Sequence, residues 1–230
     1  DVAGRAPLDR VVLGYDERFL RRKRLVTVHD EGFISTSGKP VRTLDDFKGL
    51  KIRAASRQST KLLARLGATP VGMPIPPVAD AMTKGTIDGF MTAWEIIPAF
   101  KLHEVSKFHT EIESSRPSMF TAGFVMAMNQ AKYDALSPEL KKVIDRNSGQ
   151  SLSGIAGKAF LQADIEGKKL TTKNTINVIP KAELENWKKI GQPLTDAWVA
   201  DMNAKGQNGK QMVRPQHKSN PRANWLFSRL

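Results

Sequence analysis

The chain has 230 residues, of which 40% are apolar, and it carries a formal net charge of +13. This length provides for one large domain or two small lobes, and the apolar fraction excludes an intrinsically disordered chain. The lack of cysteine excludes disulfides, thiolate metal sites and cysteine nucleophiles. No apolar run approaches the roughly 20 residues that a membrane-spanning helix needs. The N-terminus lacks the pattern of a signal peptide, so we expect that such a peptide was removed or was never present.

Positive charge is concentrated in two segments of the sequence. One contains Arg18, Arg21, Arg22, Lys23 and Arg24, and the other is a tail from Lys205 to Arg229 with six lysines or arginines and no acid. Basic proteins often bind nucleic acid or anionic membranes. Aromatic residues do not alternate with the basic ones here, as a single-strand-binding surface would require. Two interpretations stay open: a solvated basic surface that attracts anions in general, or a binder of nucleic acid or another polyanion.

The first half of the chain alternates short strand patterns with short helix patterns. Strands are indicated by alternating apolar residues, helices by apolar residues on one helical face, and helix ends by Gly49, Gly67 and Gly85. We predict a helix over residues 10–24, strands over 25–28 and through Phe33 and Ile34, a one-turn helix after Thr43, a strand over 50–55, a helix over 58–66, an extended segment over 70–73, a helix over 78–84 and a strand over 87–91.

The second half is richer in helix. Ser137 and Pro138 provide a hydroxyl cap and a proline at the first helical position, which together mark a helix start. We predict a helix over residues 94–105 broken near Pro98, a buried strand over 119–128, a helix from 138 as far as 171 with glycine bends, a strand over 175–179, an amphipathic helix over 181–203 kinked at Pro193, and little regular structure beyond Gly206. Strands that alternate with helices place the chain in the α/β class.

Motifs for catalysis, metals and cofactors are missing from the sequence. It contains no phosphate-binding glycine loop, no dinucleotide fingerprint and no nucleophile elbow. Its histidines do not match a ligand spacing, and we expect structural or surface roles for them; they are His29, His103, His109 and His217. Glu111 and Glu113 would share a face of an extended segment, but solvated acids are far commoner than catalytic pairs. We therefore predict no enzyme, no metal site and no cofactor.

Arg53 is the clearest candidate binding residue. It ends a predicted strand beside Ala54, Ala55 and Ser56, which are small and leave room next to the guanidinium. A planar guanidinium with five donors suits bidentate capture of a carboxylate. The alternative is an exposed or salt-bridged arginine, and spacing alone does not decide between the two.

Apolar residues that follow could form one wall of a cleft. Phe90, Met91 and Trp94 are large enough to line such a wall, and they are equally suited to a core. The polar neighbours Thr92 and Glu95 favour a pocket position for Trp94. For Phe90 and Met91 both interpretations stay open.

Three ordered motifs resemble the periplasmic substrate-binding proteins of TRAP transporters, the DctP family. They are Asp46-Phe-Lys-Gly-Leu-Lys-Ile-Arg53, Leu66-Gly-Ala-Thr-Pro-Val-Gly-Met-Pro74 and Ala81-Met-Thr-Lys-Gly-Thr-Ile-Asp-Gly89. Later stretches around residues 104–108, 124–129 and 136–140 also resemble the family. The resemblance covers roughly residues 25–205.

The resemblance implies a two-lobed α/β binding-protein fold that closes around an organic acid. It also implies a periplasmic location and delivery of the acid to a sodium-driven TRAP permease in the membrane, with no nucleic acid as a partner. The family's mature chains are longer, and we expect this chain to lack the opening strand–helix–strand of the first lobe. The implied division is lobe I over 1–32 and 118–150, lobe II over 33–117 and 151–205, and a basic tail over 206–230.

The resemblance also assigns site residues. The family's carboxylate-binding arginine matches Arg53, an asparagine of some members matches Thr92, and a ligand-packing aromatic of some members matches Ile75. An arginine of sialic-acid-binding members falls at or beside Ile34, so that contact is absent. Phe33, Thr92 and Trp94 suggest a less polar pocket than the sialic-acid one. The expected ligand-binding set is Arg53, Thr92, Trp94, Phe33, Ile75, Met91 and Ser56.

Overall fold

The computed structural model describes residues 24–29, 33–112, 122–148 and 150–212. Within these ranges eight strands form two sheets. The smaller sheet pairs β1 (Arg24–His29) with β7 (Ala122–Ala127) in antiparallel orientation. The strands of the larger sheet are β2 (Phe33–Thr36), β3 (Lys51–Ala54), β4 (Thr69–Gly72), β5 (Gly89–Thr92), β6 (Phe108–Ile112) and β8 (Thr175–Ile179). Their order across the sheet is β4-β3-β5-β2-β6-β8.

Helices connect and cover these strands. They are α1 (Arg57–Leu66), α2 (Val78–Thr83), α3 (Ile96–Ala99), α4 (Leu102–Val105), α5 (Gln130–Asp134), α6 (Pro138–Arg146), α7 (Gln150–Lys169), α8 (Lys181–Ala204) and α9 (Gly209–Met212), with a 3-10 turn at Leu44–Phe47. None of the helices in the described ranges combines the length and apolar character that crossing a membrane requires.

The strand order creates a crevice at the end of β3. β3 is parallel to both of its neighbours, β4 and β5. The chain leaves β3 through α1 to reach β4 on one side, whereas it leaves β5 toward β6 on the other side. In open α/β sheets, ligands bind beyond the carboxyl ends of strands at such a switch in direction. The last residues of β3 therefore occupy the position where a ligand site is expected.

The two faces of the large sheet carry two separate cores. Successive side chains of a strand point to opposite faces, and Phe33 and Ile34 of β2 accordingly enter different clusters. α1, α8 and the 3-10 turn cover one face, with Leu63, Trp187 and Phe47 buried there. The other face is covered by α2, α3 and α4, where the buried side chains include Val78, Ile97 and Leu102.

Local hydrogen bonds explain why the chain turns where it does. Ser56 caps α1 by accepting from the Ser59 N–H, and Gly67 ends the helix with φ 102°, a conformation that favours glycine. Asp88 ties the turn before β5 to the start of β3. Its carboxylate accepts from the Lys51 N–H at 2.8 Å, and its own N–H donates to the Lys51 carbonyl at 2.8 Å.

Most predicted elements are confirmed, and several details are wrong. The helix expected from 138 to 171 is two helices, α6 and α7. One further turn, α9, follows Gly206, where little regular structure was expected. The helix expected over 181–203 is confirmed as α8, which has 24 residues with Pro193 inside it, and the kink at Pro193 stays a prediction. β6 was not predicted, because its buried residues His109 and Thr110 are polar. The helix predicted over 10–24 lies outside the described residues except for position 24, which begins β1.

The strands of each sheet come from segments that were assigned to the same lobe. β1 and β7 come from the segments assigned to lobe I, and the large sheet is built from 33–112 and 175–179, within the segments assigned to lobe II. The division into lobes stays a prediction.

α7 lies directly on the backbone that follows β5. A Cβ added to Gly167 would overlap the Trp94 carbonyl oxygen, and the Asp164 carboxylate accepts from the Glu95 N–H at 2.9 Å. Gly154 of the same helix has open space where a Cβ would stand. The absence of a side chain at Gly167 is therefore what lets the helix approach Trp94.

We expect Gly167→Ala and Gly154→Ala to have opposite effects on stability. At position 167 the methyl group forces the helix away from Trp94, so unfolding should become easier by about 1–3 kcal/mol. At position 154 alanine removes the entropic cost of glycine in a helix and should stabilise by roughly 0.5–1 kcal/mol. Urea unfolding of both variants measures this. Equal effects at the two positions would contradict the close contact.

His109 is buried in an aromatic setting between β2 and the segment before β8. Its Nδ1 lies 2.8 Å from the Ser35 hydroxyl, and the Asn174 amide donates to its Nε2 at 2.9 Å. The centroid of the His109 ring lies 5.0 Å from the ring centroid of Trp94 and 5.7 Å from that of Phe33. Burial lowers the pKa of His109 to about 4. The neutral ring is favoured because Nε2 must accept a hydrogen bond.

We expect the free energy of unfolding to fall as the pH drops from 6.5 toward 4. In that window the unfolded chain protonates His109 and the folded protein does not. The contribution of neutral, buried His109 to the free energy of unfolding is therefore complete above pH 6.5, and it amounts to at most roughly 3 kcal/mol. Urea midpoints of the wild type and His109→Gln over this range measure it. A His109→Gln protein with the full wild-type slope would contradict the assignment.

Candidate functional site

The Arg53 guanidinium is held from both sides at the end of β3. Arg53 is 6% exposed. Its Nε donates to the Met73 carbonyl at 2.9 Å, just beyond β4, and its Nη1 donates to the Met91 carbonyl of β5 at 3.1 Å. One carbonyl comes from each side of β3, so the plane of the guanidinium is fixed before any ligand arrives.

The charge of Arg53 has no acidic partner among the described residues. A guanidinium has five N–H donors, and the two carbonyls engage two of them, so three remain. Burial lowers the pKa of Arg53, because desolvation disfavours the charged form. An arginine nevertheless stays protonated in proteins. A buried charge without a counter-charge is unfavourable, so an anion beside it would be stabilising.

Arg53 opens onto a cleft of about 650 Å³. The cleft lies between the start of α1 and the loop that leaves β4. Its lining residues are Arg53, Ala54, Ala55, Ser56, Arg57, Thr60, Lys61, Gly72, Met73 and Pro74. The lining includes three cationic side chains and, in the described ranges, no acidic one. The positive end of the α1 dipole adds to the same potential.

Ser56 lies on this cleft and is exposed. Its hydroxyl accepts from the Ser59 N–H at 3.2 Å and lies 3.0 Å from the Ser59 hydroxyl. The side chain therefore already serves as the cap of α1. Of the expected site residues, Arg53 and Ser56 are the two that the structure brings together in the cleft.

Phe33, Met91 and Trp94 lie inside the cores. Their exposure is 1% or less, and the Phe33 and Trp94 rings stack with centroids 3.8 Å apart. The Trp94 indole N–H donates to Glu111 at 2.8 Å, and Lys168 pairs with the same carboxylate at 2.7 Å. Met91 contributes its carbonyl to Arg53, not its side chain. A direct ligand contact for these three side chains stays a prediction.

Thr92 and Ile75 lie near the anchor without lining the cleft. Thr92 ends β5 opposite Phe33 in the register with β2 and is 6% exposed. Ile75 is half-buried against the second core, two residues after Met73. Their role as ligand-binding residues also stays a prediction. No group of three histidine or acidic side chains suited to a metal ion occurs in the described part of the chain.

Two contributions to the site were missed by the sequence analysis. The first is the pair of backbone carbonyls of Met73 and Met91, which orient the Arg53 guanidinium. A pattern of side chains in the sequence does not show which backbone carbonyl accepts a hydrogen bond. Arg57, Thr60 and Lys61 also line the cleft. Their spacing of three and four residues places them on one helical face, so the start of α1 contained a usable signal.

Comparison with known proteins identifies a family. Residues 16–201 match the model of DctP, the bacterial extracellular solute-binding proteins of family 7. A "solute-binding protein" of Albidiferax ferrireducens is 28% identical over 202 residues, which is 85% of this chain and 58% of the relative. The chain thus spans little more than half the length of that relative.

Solved structures agree with this match. A TRAP solute-binding protein from Rhodoferax ferrireducens, in complex with copurified benzoate, has a TM-score of 0.80 and 43% identity over 85% of this chain and 62% of its own. A marine metagenome TRAP protein specific for aromatic acid ligands, with 3-hydroxybenzoate, has a TM-score of 0.77 and 41% identity over 83% and 60%. The predicted two-lobed α/β binding-protein fold is therefore confirmed, over about 60% of the length of these chains.

Substitution of Trp94 tests its placement in the core. We expect Trp94→Phe to lower the free energy of unfolding of the ligand-free protein by about 1–3 kcal/mol, because Glu111 loses its indole donor and a void opens beside Phe33. Urea unfolding without any added acid measures this. A Trp94 that instead lined the cleft would leave that free energy unchanged and alter only ligand affinity.

Proposed function

Because the chain belongs to the DctP family, the bacterial extracellular solute-binding proteins of family 7, we propose that it binds a small organic acid in the cleft at Arg53. The observation that carries this proposal is a buried guanidinium that faces a cleft and lacks a counter-charge in the described ranges. Proteins of this family are solute-binding proteins, not enzymes, and the proposed role is capture and not conversion of the acid.

The carboxylate of the ligand supplies the missing counter-charge. It accepts from the remaining N–H groups of Arg53, in the bidentate geometry that a planar guanidinium favours. A hydrogen bond to a charged group contributes about 1.5–3 kcal/mol. That is roughly tenfold to a hundredfold in the dissociation constant. Since two carbonyls already fix the guanidinium, little side-chain freedom is lost on binding.

An aromatic acid is the proposed ligand class. The two solved relatives described above, 43% and 41% identical to this chain, were obtained with benzoate and with 3-hydroxybenzoate, respectively. Both are benzene rings with one carboxylate, and the cleft of about 650 Å³ has ample room for one ring. Apolar contacts from Ala54, Ala55 and Met73 suit the ring face of such a ligand.

The proposed setting is the periplasm, where the chain delivers its ligand to a TRAP-type membrane permease. This follows the role of the family and of the matched TRAP proteins. The alternative suggested by the net charge, a binder of nucleic acid or another polyanion, gains no support from these matches. The cationic side chains of the cleft instead suit a small anion.

Replacement of Arg53 by lysine tests the anchor while it keeps the positive charge. We expect Arg53→Lys to bind benzoate at least tenfold more weakly, because an ammonium group cannot hold two carbonyls and a carboxylate in one plane. Calorimetric titration with benzoate measures the dissociation constant. Arg65→Lys is the matched control, since Arg65 is exposed in the last turn of the same helix that begins beside the cleft.

The control should bind benzoate as the wild type does, and circular dichroism should show both variants folded. Wild-type affinity in Arg53→Lys would remove Arg53 from the site. A folded wild type that binds none of benzoate, 3-hydroxybenzoate or mandelate would contradict the aromatic-acid class.

A further inference from the structure

The cleft contains more positive charge than one carboxylate neutralises. Arg53 occupies its buried end, and Arg57 and Lys61 lie on the wall formed by the start of α1. Both are exposed, and neither forms an ion pair with an acid in the described part of the chain. They stand four residues apart, so their side chains project from the same face of the helix.

We propose that Arg57 and Lys61 form a second cationic position in the cleft, which selects acids that carry a second anionic group. This inference rests on the proposed function, because it takes Arg53 as the anchor of the first carboxylate. The anchored acid extends from the buried end of the cleft toward the wall. A second carboxylate on its far side meets Arg57 and Lys61, whereas a neutral group there leaves both cations in water.

The exposure of Arg57 and Lys61 determines how strongly the cleft should prefer a doubly charged acid. Ion pairs in solvent are weak and are screened by salt, so each cation contributes only modestly. Two of them together give a preference of roughly tenfold for the doubly charged acid at low salt. Association should also be faster for that acid, since uncompensated charges around a cleft attract ions of opposite sign.

Two aromatic acids of nearly equal shape isolate the charge. Isophthalate and 3-carbamoylbenzoate both present a carboxylate to Arg53, and they differ at the third ring position in a carboxylate against a neutral amide. We expect the wild type to bind isophthalate about tenfold more tightly than 3-carbamoylbenzoate at low salt, by calorimetric titration. The preference should shrink as salt is added.

The double variant Arg57→Gln with Lys61→Gln should lose that preference, with the two dissociation constants within twofold of each other. Its affinity for 3-carbamoylbenzoate should fall much less than its affinity for isophthalate, because Arg53 still anchors the carboxylate and only the general positive potential of the cleft is reduced. The matched control is Arg65→Gln with Lys189→Gln, which removes the same charge from exposed positions outside the cleft lining. It should keep the tenfold preference.

The outcomes separate this inference from the function on which it rests. Equal affinity of the wild type for the two acids, with firm binding of both, overturns the second cationic position and leaves the anchor at Arg53 intact. A preference that survives in the double variant also overturns it. Failure of the folded wild type to bind either acid overturns the proposed binding of aromatic acids, and this inference with it.

Discussion

A single arginine held by two backbone carbonyls sets the chemistry of this protein. Arg53 donates to Met73 on one side of its strand and to Met91 on the other, and it is almost fully buried. Carbonyls satisfy hydrogen bonds without neutralising charge. The guanidinium is therefore oriented and partly satisfied, while its charge remains available to an anion. An acid in place of either carbonyl would have filled the site with an internal ion pair.

The topology of the large sheet explains why this residue stands where it does. β3 lies between two parallel neighbours, and the connections that follow β3 and β5 lead to opposite sides. The end of β3 borders that point, and the cleft beside Arg53 is formed by the end of β3, the first turn of α1 and the loop after β4. Gly67 ends α1 before β4, and Asp88 ties the turn before β5 to the start of β3. The cleft is thus a consequence of chain direction as much as of its lining residues.

Much of this arrangement was predictable from the sequence, because local patterns encode it. Ser56 before an apolar helical face, Gly67 after it and the β-branched strands each act within a few residues. The motifs around Arg53 also led to the correct family. β6 was missed because its interior is polar: His109 and Thr110 are buried through partners far along the chain, namely Ser35, Asn174 and Val41. A pattern of apolar residues cannot report such hydrogen bonds.

The site was predictable only in part, for the same physical reason. The polar neighbours of Trp94 favour a pocket position, which stays a prediction; in the structure its ring stacks on Phe33 and its indole N–H donates to Glu111. The backbone carbonyls that bind Arg53 cannot be recognised from residue type, because every residue has a carbonyl group. The most direct test of the central claim is a crystal structure of the protein with benzoate. It should show the carboxylate about 2.8 Å from the Arg53 guanidinium nitrogens, with both carbonyl contacts retained. A benzoate bound elsewhere, with Arg53 contacting only Met73 and Met91, would contradict the account.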